Sequence, residues 1–179
     1  MHGKLVEKKG LPARSKRYGD YQYKAMLKAL ADEGFTVISE ARARGTYVYD
    51  DAVKVAAQVN DLLGKGVPAR NITVSGFSKG GRMTAMISSL LENDEINYVI
   101  LAGCRESDID DYKLRLHGRV LSIYDRDDEY FGSCDALFAT GGDALASDEL
   151  VLTIGDGHGV FYRPLDAWVK PLADWAAVK

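Results

Sequence analysis

Two hydrophobic periods alternate along the chain. Short, continuous runs of β-branched and apolar residues stand at FTVIS (35–39), NITVSG (71–76), NYVILAG (97–103), RVLSIY (119–124) and ELVLTI (149–154). Their hydrophobicity is unbroken instead of alternating, which predicts strands buried on both faces of a parallel sheet. Between the runs, apolar residues recur every three or four positions. Tyr23, Met26, Leu27, Leu30 and Ala31 share one helical face behind a capping candidate at Asp20, and Val55, Val59, Leu62 and Leu63 do the same behind Asp50 or Asp51. Gly34 and Gly64 stand where the C-terminal caps of these two helices are expected. A third helix is predicted from near Ser78 to about Glu92, on Met83, Met86, Ile87, Leu90 and Leu91. A last one covers LDAWVKPLADWAAV (165–178), where Pro171 should kink or shorten it.

Strand and helix in alternation imply an α/β fold: a mostly parallel sheet of about five strands with helices on both faces, a three-layer sandwich. The 179 residues, 46% of them hydrophobic, suffice for one core and would make two unusually small ones, so 1–179 reads as a single domain. The polar segment 105–118 is expected to be a mobile surface loop or small lid, and the basic group between Lys4 and Arg17 a solvated loop. In open parallel sheets, ligands gather beyond the carboxyl ends of the strands. Chemistry is therefore sought in the loops that follow the five runs.

Three of those loops carry matching residue types. Gly76-Phe77-Ser78-Lys79-Gly80 satisfies G-x-S-x-G at a junction from strand to helix. An abrupt turn there forces the central residue into a strained conformation, and side chains two positions away would collide across it. A serine hydroxyl held above a helix N-terminus suits acyl transfer, because the partial positive charge favours the oxyanion. A base is needed. His158, in GDGHGVF, follows the last run, whereas His117 precedes its strand and belongs at the opposite end of the sheet, and His2 lies at the N-terminus. An acid is needed to orient the imidazole, and Asp125, Asp127 and Asp128 all follow the run at 119–124. A carboxylate must be carried across to the next loop, and Asp128 has that reach, with Asp125 as the alternative acid. Each member also has a plainer reading: Ser78 as a helix cap, the aspartates as turn residues, His158 as a structural histidine.

Composition narrows the partners. With 23 basic and 26 acidic residues and a net charge of −3, nucleic acid is not an expected partner. No run approaches a membrane span and no signal peptide is evident, so a cytoplasmic protein is expected. Cys104 and Cys134 lack metal-ligand spacing and read as ordinary thiols, with a single bridge as the alternative. Neither metal nor cofactor is expected.

On HG at 2–3, GFSKGG at 76–81, DRDDEYFG at 125–132 and GHG at 157–159, the chain resembles the α/β-hydrolases, and among them the small capless carboxylesterases and dienelactone hydrolases. The resemblance implies a serine hydrolase that cleaves a carboxylic ester, or a related acyl bond, of a small substrate through Ser78, His158 and Asp128. The backbone N–H groups of Lys4 and Lys79 would form the oxyanion hole, and their side chains need not matter. Tyr47, Tyr49, Phe77, Tyr130, Phe131, Phe161 and Tyr162 could supply an apolar wall. The strands that precede the HG pair in that family have no counterpart here, which leaves a bare sheet edge and an expected homodimer. Two other readings stand beside this one: a non-catalytic module that binds phosphate or another anion at GFSKGG, and a hydrolase fold that has lost activity.

Overall fold

The structure is a computed structural model that describes residues 1–177. The chain opens with helix α1 (Lys4–Lys9), a hairpin of β1 (Ala13–Ser15) and β2 (Gly19–Tyr21), and helices α2 (Tyr23–Asp32) and α3 (Val48–Gly64). Strand and helix then alternate through β3 (Thr73–Phe77), α4 (Lys79–Leu91), β4 (Asn97–Leu101), α5 (Ser107–Tyr112), β5 (Arg119–Asp125), α6 (Asp135–Phe138), β6 (Ala146–Leu152) and α7 (Asp166–Ala177). Strands β3 to β6 form one parallel sheet in chain order.

Helices cover both faces of that sheet. Val74, Tyr98, Ile100 and Val120 pack on one side with Val59 of α3 and Met83, Met86 and Ile87 of α4. Phe77, Val99, Leu101, Leu121 and Ile123 pack on the other with Met26 of α2 and Trp168, Val169 and Leu172 of α7. Successive side chains of a strand point to opposite faces, so a strand buried on both must be apolar at every position. Tyr98, Val99 and Ile100 are each 0% exposed. Each such side chain contributes roughly 1.5–3 kcal/mol by leaving water.

The sheet has four strands, not about five. The run at 35–39 forms no ladder and lies beside the outer edge of β3, where both segments line one cavity. A strand exists only against a neighbour that takes its N–H and C=O groups, and among the described residues this run pairs with no strand. The hairpin of β1 and β2 is an element that the hydrophobic pattern missed, because three-residue strands carry too little periodicity.

Several expected termini and loops differ. Asp20 belongs to β2 and pairs with Arg14 at 3.0 Å, while α2 starts after Gln22. Asp50 and Asp51 lie inside the first turn of α3, where negative charge is favoured, and the residue before that helix is Tyr47. Gly34 follows α2 at φ 95°, but Gly64 is still helical and Gly66 takes the left-handed position at φ 87°. Residues 105–118 are no lid: they hold α5, whose buried Asp108 grips Arg82 of α4 with both oxygens, at 2.6 and 2.7 Å. The basic N-terminal group is solvated as expected but is not a loop throughout: its lysines and arginines are exposed, while α1 and the hairpin occupy the segment and α1 buries Val6 and Glu7. Cys104 and Cys134 are not free thiols but a disulfide. Helix α7 accommodates Pro171 internally, and Val178, the last residue of its predicted span, lies outside the described residues. Among the described residues, no helix is long and apolar enough to cross a membrane.

Candidate active site

The turn between β3 and α4 is a single residue. Ser78 sits at φ 56° and ψ −117°, a region that costs a non-glycine residue roughly 1–3 kcal/mol and persists only where the surroundings impose it. Here Ser78 N–H donates to Leu101 O at 2.9 Å, and Ser78 O accepts from Arg82 N–H at 3.1 Å. The flanking glycines are required by contact: a Cβ on Gly76 would lie 2.1 Å from Gly80 O, and one on Gly80 would lie 2.5 Å from Met1 O. Although Ser78 occupies the N-cap position of α4, its hydroxyl makes no capping hydrogen bond. The plainer reading of Ser78 therefore leaves its Oγ without an assigned task.

Asp125 and Asp128 sit three residues apart and do different work. Asp125 closes β5, is fully buried, and accepts N–H groups from Asp127 (3.1 Å), Ile154 (2.9 Å), Gly155 (3.3 Å) and Gly157 (3.3 Å). It clamps the loop after β6 to the loop after β5, and neither of its oxygens reaches His158. Asp128 accepts Tyr130 N–H and Phe131 N–H on Oδ1, at 2.8 and 3.1 Å, and places Oδ2 2.7 Å from His158 Nδ1. An ionised carboxylate can only accept, so the proton is on Nδ1 and Nε2 is left with a free lone pair. Asp127 is exposed, and its backbone carbonyl faces Gly157.

His158 lies in the 3-10 turn Gly157–Tyr162. Its ring packs on Phe77 at 4.6 Å between centroids, with Tyr130 at 5.1 Å and Phe131 at 5.6 Å. Phe77 immediately precedes Ser78, so the imidazole lies against the turn that carries the serine. No hydrogen bond joins Ser78 Oγ to His158 among the described residues; in unliganded sites such contacts are commonly long and tighten around substrate. His117 pairs with Asp94 at 3.2 Å in the turn before β5. His2 is buried and fully used: Nδ1–H donates to Gly3 O at 2.8 Å and Nε2 accepts Arg42 N–H at 2.8 Å. Burial pushes its pKa down to about 4.

Gly3 touches the serine turn. A Cβ at Gly3 would lie 3.4 Å from Ser78 Cβ and 3.1 Å from the Phe77 ring. Gly3 N–H points to Tyr21 Oη at 3.4 Å. The next N–H, on Lys4, opens α1, as that of Lys79 opens α4, and the first N–H groups of a helix have no acceptor within it. Contrary to expectation, the Lys79 side chain matters. Its ammonium is held by both oxygens of Glu7, at 2.8 and 2.7 Å, and by Thr46 O. Arg42 lies 3.7 Å from Glu7 and 3.6 Å from Asp51, so a buried ionic cluster bolts α1 to α4. No local pattern announced it, because Glu7 and Lys79 are 72 residues apart.

Of the seven aromatics expected to form a wall, Phe77, Tyr130 and Phe131 surround His158. Phe161 and Tyr162 are buried in the core, Tyr47 is exposed, and Tyr49 stacks on Tyr112 at 5.9 Å. Tyr18, from the unexpected hairpin, joins the wall at 6.5 Å from the imidazole. Its hydroxyl donates to Glu129 at 3.2 Å, and burial raises its pKa to about 12. Arg17 pairs with the same carboxylate and holds it below its ordinary value.

No family model and no curated protein matches the chain. Solved structures do. A YdeN-like hydrolase of Pectobacterium atrosepticum aligns over 93% of this chain and 86% of its own, with a TM-score of 0.55 and 9% identity. Arabidopsis thaliana SOBER1 aligns over 70% of this chain with a TM-score of 0.50 and 17% identity, and the chain covers 64% of its length. The L63A variant of SOBER1 aligns over 74% of this chain and 67% of its own, again with a TM-score of 0.50. Such distant likenesses speak for the fold alone.

Proposed function

From an α/β-hydrolase-like fold with Ser78, Asp128 and His158 at the carboxyl ends of β3, β5 and β6, we propose a serine hydrolase that cleaves a carboxylic ester or related acyl bond of a small substrate. One observation carries the reading: a buried carboxylate fixes the tautomer of a histidine packed against a strained serine turn. Ser78 Oγ attacks the substrate carbonyl as His158 Nε2 takes its proton, and the resulting oxyanion is met by the N–H groups of Lys79 and Lys4. The C–O bond to the leaving group breaks, and His158 returns the proton to the departing alcohol. Water repeats the sequence on the acyl-enzyme and regenerates Ser78.

A phosphate cradle on the backbone N–H groups of GFSKGG would leave the Asp128–His158 bond unexplained. A hydrolase fold that has lost activity would keep the same geometry, and turnover separates it from the leading reading.

The test is labelling by a fluorophosphonate probe together with turnover of p-nitrophenyl esters of rising chain length. Wild-type protein should label and turn over. Ser78→Ala should do neither while melting within about 2 °C of wild type, since little packing is removed. A Ser78→Ala variant with wild-type turnover would remove the serine from the mechanism.

A further inference from the structure

Four rings stand around His158 among the described residues, and they are not held alike. Phe77 and Phe131 lie 4.6 and 5.6 Å from the imidazole, at interplanar angles of 38° and 22°. Tyr130 stands edge-on to it at 5.1 Å and 71°, and Tyr18 lies at 6.5 Å. Phe77 is buried, whereas Tyr130 is 60% exposed. A ring so open to water keeps its rotamer freedom unless something ties its far end.

Glu129 is that tie. Its carboxylate accepts the Tyr18 hydroxyl at 3.2 Å and pairs with Arg17, and the Tyr130 hydroxyl interacts with it as well, which raises the Tyr130 pKa. Tyr18 is seated at its other end. A Cβ on Gly159 would lie 2.7 Å from the Tyr18 ring, so the residue after His158 has to be glycine for that ring to lie against its loop. Tyr18 also meets Tyr162 edge-on at 5.4 Å. The main chain of Tyr130 is fixed independently, since its N–H donates to Asp128 Oδ1 at 2.8 Å. One carboxylate thus joins the tip of the hairpin to the loop of Asp128, and Tyr130 presents an anchored ring to solvent beside the base. The Arg17 guanidinium, 5.1 Å over the Tyr18 ring, offsets the charge of Glu129, so this platform carries no net charge.

On the reading of the site as a serine hydrolase, we propose that Tyr130 determines specificity for the alcohol half of the ester, that this half is an uncharged, planar aromatic alcohol, and that Glu129, with Arg17 and Tyr18, is the positioning group that holds the ring. The departing alcohol takes its proton from the imidazole, so it comes within hydrogen-bond reach of a side chain whose ring lies 5.1 Å from that of Tyr130. An anchored ring has already given up its rotamer freedom, and stacking on it costs little further ordering. A flat aromatic group gains about threefold to tenfold from such a pair.

The experiment compares kcat/KM for phenyl and 2-naphthyl acetate, whose leaving groups are similarly acidic while the second offers more flat area. Wild type should favour 2-naphthyl acetate by about threefold to tenfold. Tyr130→Leu keeps apolar bulk and the main-chain bond to Asp128, yet should lose that preference through a higher KM for the naphthyl ester, with the ratio of the two kcat values unchanged. Glu129→Ala, which frees the ring without altering it, should weaken the preference in the same way, and Tyr130→Trp should retain it. A preference that survives Tyr130→Leu would overturn the proposal. So would a fall in kcat shared equally by both esters, which would make Tyr130 a prop for His158. A second readout needs no turnover: amide shifts on titrating 2-naphthol into the Ser78→Ala protein should centre on Tyr130 and Gly159 and disappear when Tyr130→Leu is added. Shifts confined to Val37 and Ile38, at the cavity of about 590 Å³ beside β3, would overturn the alcohol site even where the wild type hydrolyses both esters. A wild type that hydrolyses neither ester while 2-naphthol binds at Tyr130 would sink the hydrolase reading and leave the aromatic site standing.

Discussion

Asp125 and Asp128 show how little chain separates two roles. Asp128→Asn should leave the fold intact but disfavour the productive tautomer of His158 and remove the counter-charge of the imidazolium, lowering kcat by up to about 10⁴-fold. Asp125 holds four main-chain N–H groups in a fully buried position. Asp125→Asn should therefore be read first in stability, with a loss on the order of 2 kcal/mol in urea unfolding as part of the N–H set loses its charged acceptor. Ester kinetics and unfolding, measured on the same two proteins, separate an orienting acid from a structural clamp. His2 gives a pH signature. Its folded pKa, about 4, lies below the ordinary imidazole value of 6.5, so the fold favours the neutral ring. The stability it contributes is fully present above pH 6.5 and is lost as pH falls from there towards 4. The Met1 amine, lowered from 8.0 to about 5, acts in the same direction over that higher window. The melting temperature should thus fall steadily from pH 8 to pH 4, and His2→Gln should flatten only the part below about pH 6.5. An unchanged slope in that variant would show that His2 does not set it.

At the scale of elements, α1 and α4 each bring one N–H to the proposed oxyanion site, and their relative placement depends on the Glu7–Lys79 pair. Removing one partner of a buried pair leaves the other charge uncompensated, at roughly 3–5 kcal/mol. Lys79→Met should show a destabilisation of that order, and kcat should drop more than KM rises, because the oxyanion contacts are made in the transition state. A double change of Lys79→Met with Glu7→Gln should recover part of the stability. Failure to recover any would mean that Arg42, 3.7 Å from Glu7, already compensates that carboxylate when Lys79 is gone. The same scale explains the strands. Residues 97–101 read correctly because both of their faces are covered, while 35–39 is also rich in strand-forming residues and forms no ladder. Composition decides what a segment can do; a neighbour decides whether it does.

At the scale of the molecule, the Cys104–Cys134 disulfide ties the loop after β4 to the loop that carries Asp128. It closes a separation of 30 residues, for which loop entropy implies about 4 kcal/mol. A reductant should lower the melting temperature on the order of 10 °C. An identical melt with and without dithiothreitol would show that the bridge adds nothing to stability.

What the sequence determined by itself is local. The period of apolar residues marks β3, α4, β4 and β5 because burial on one face or two is written into consecutive positions, and Gly76 and Gly80 mark the turn at Ser78 because a backbone approach of 2.1 Å excludes any side chain. The order of strands then places the loops of Ser78, Asp128 and His158 at one end of the sheet. Tertiary structure alone decided which groups meet across the chain: Glu7 on Lys79, Cys104 with Cys134, and Tyr18 beside the imidazole. It also decided that 35–39 would stay unpaired. Hydrogen bonds and ion pairs act over a few ångströms in space and have no preferred separation along the chain, so they leave no period to read.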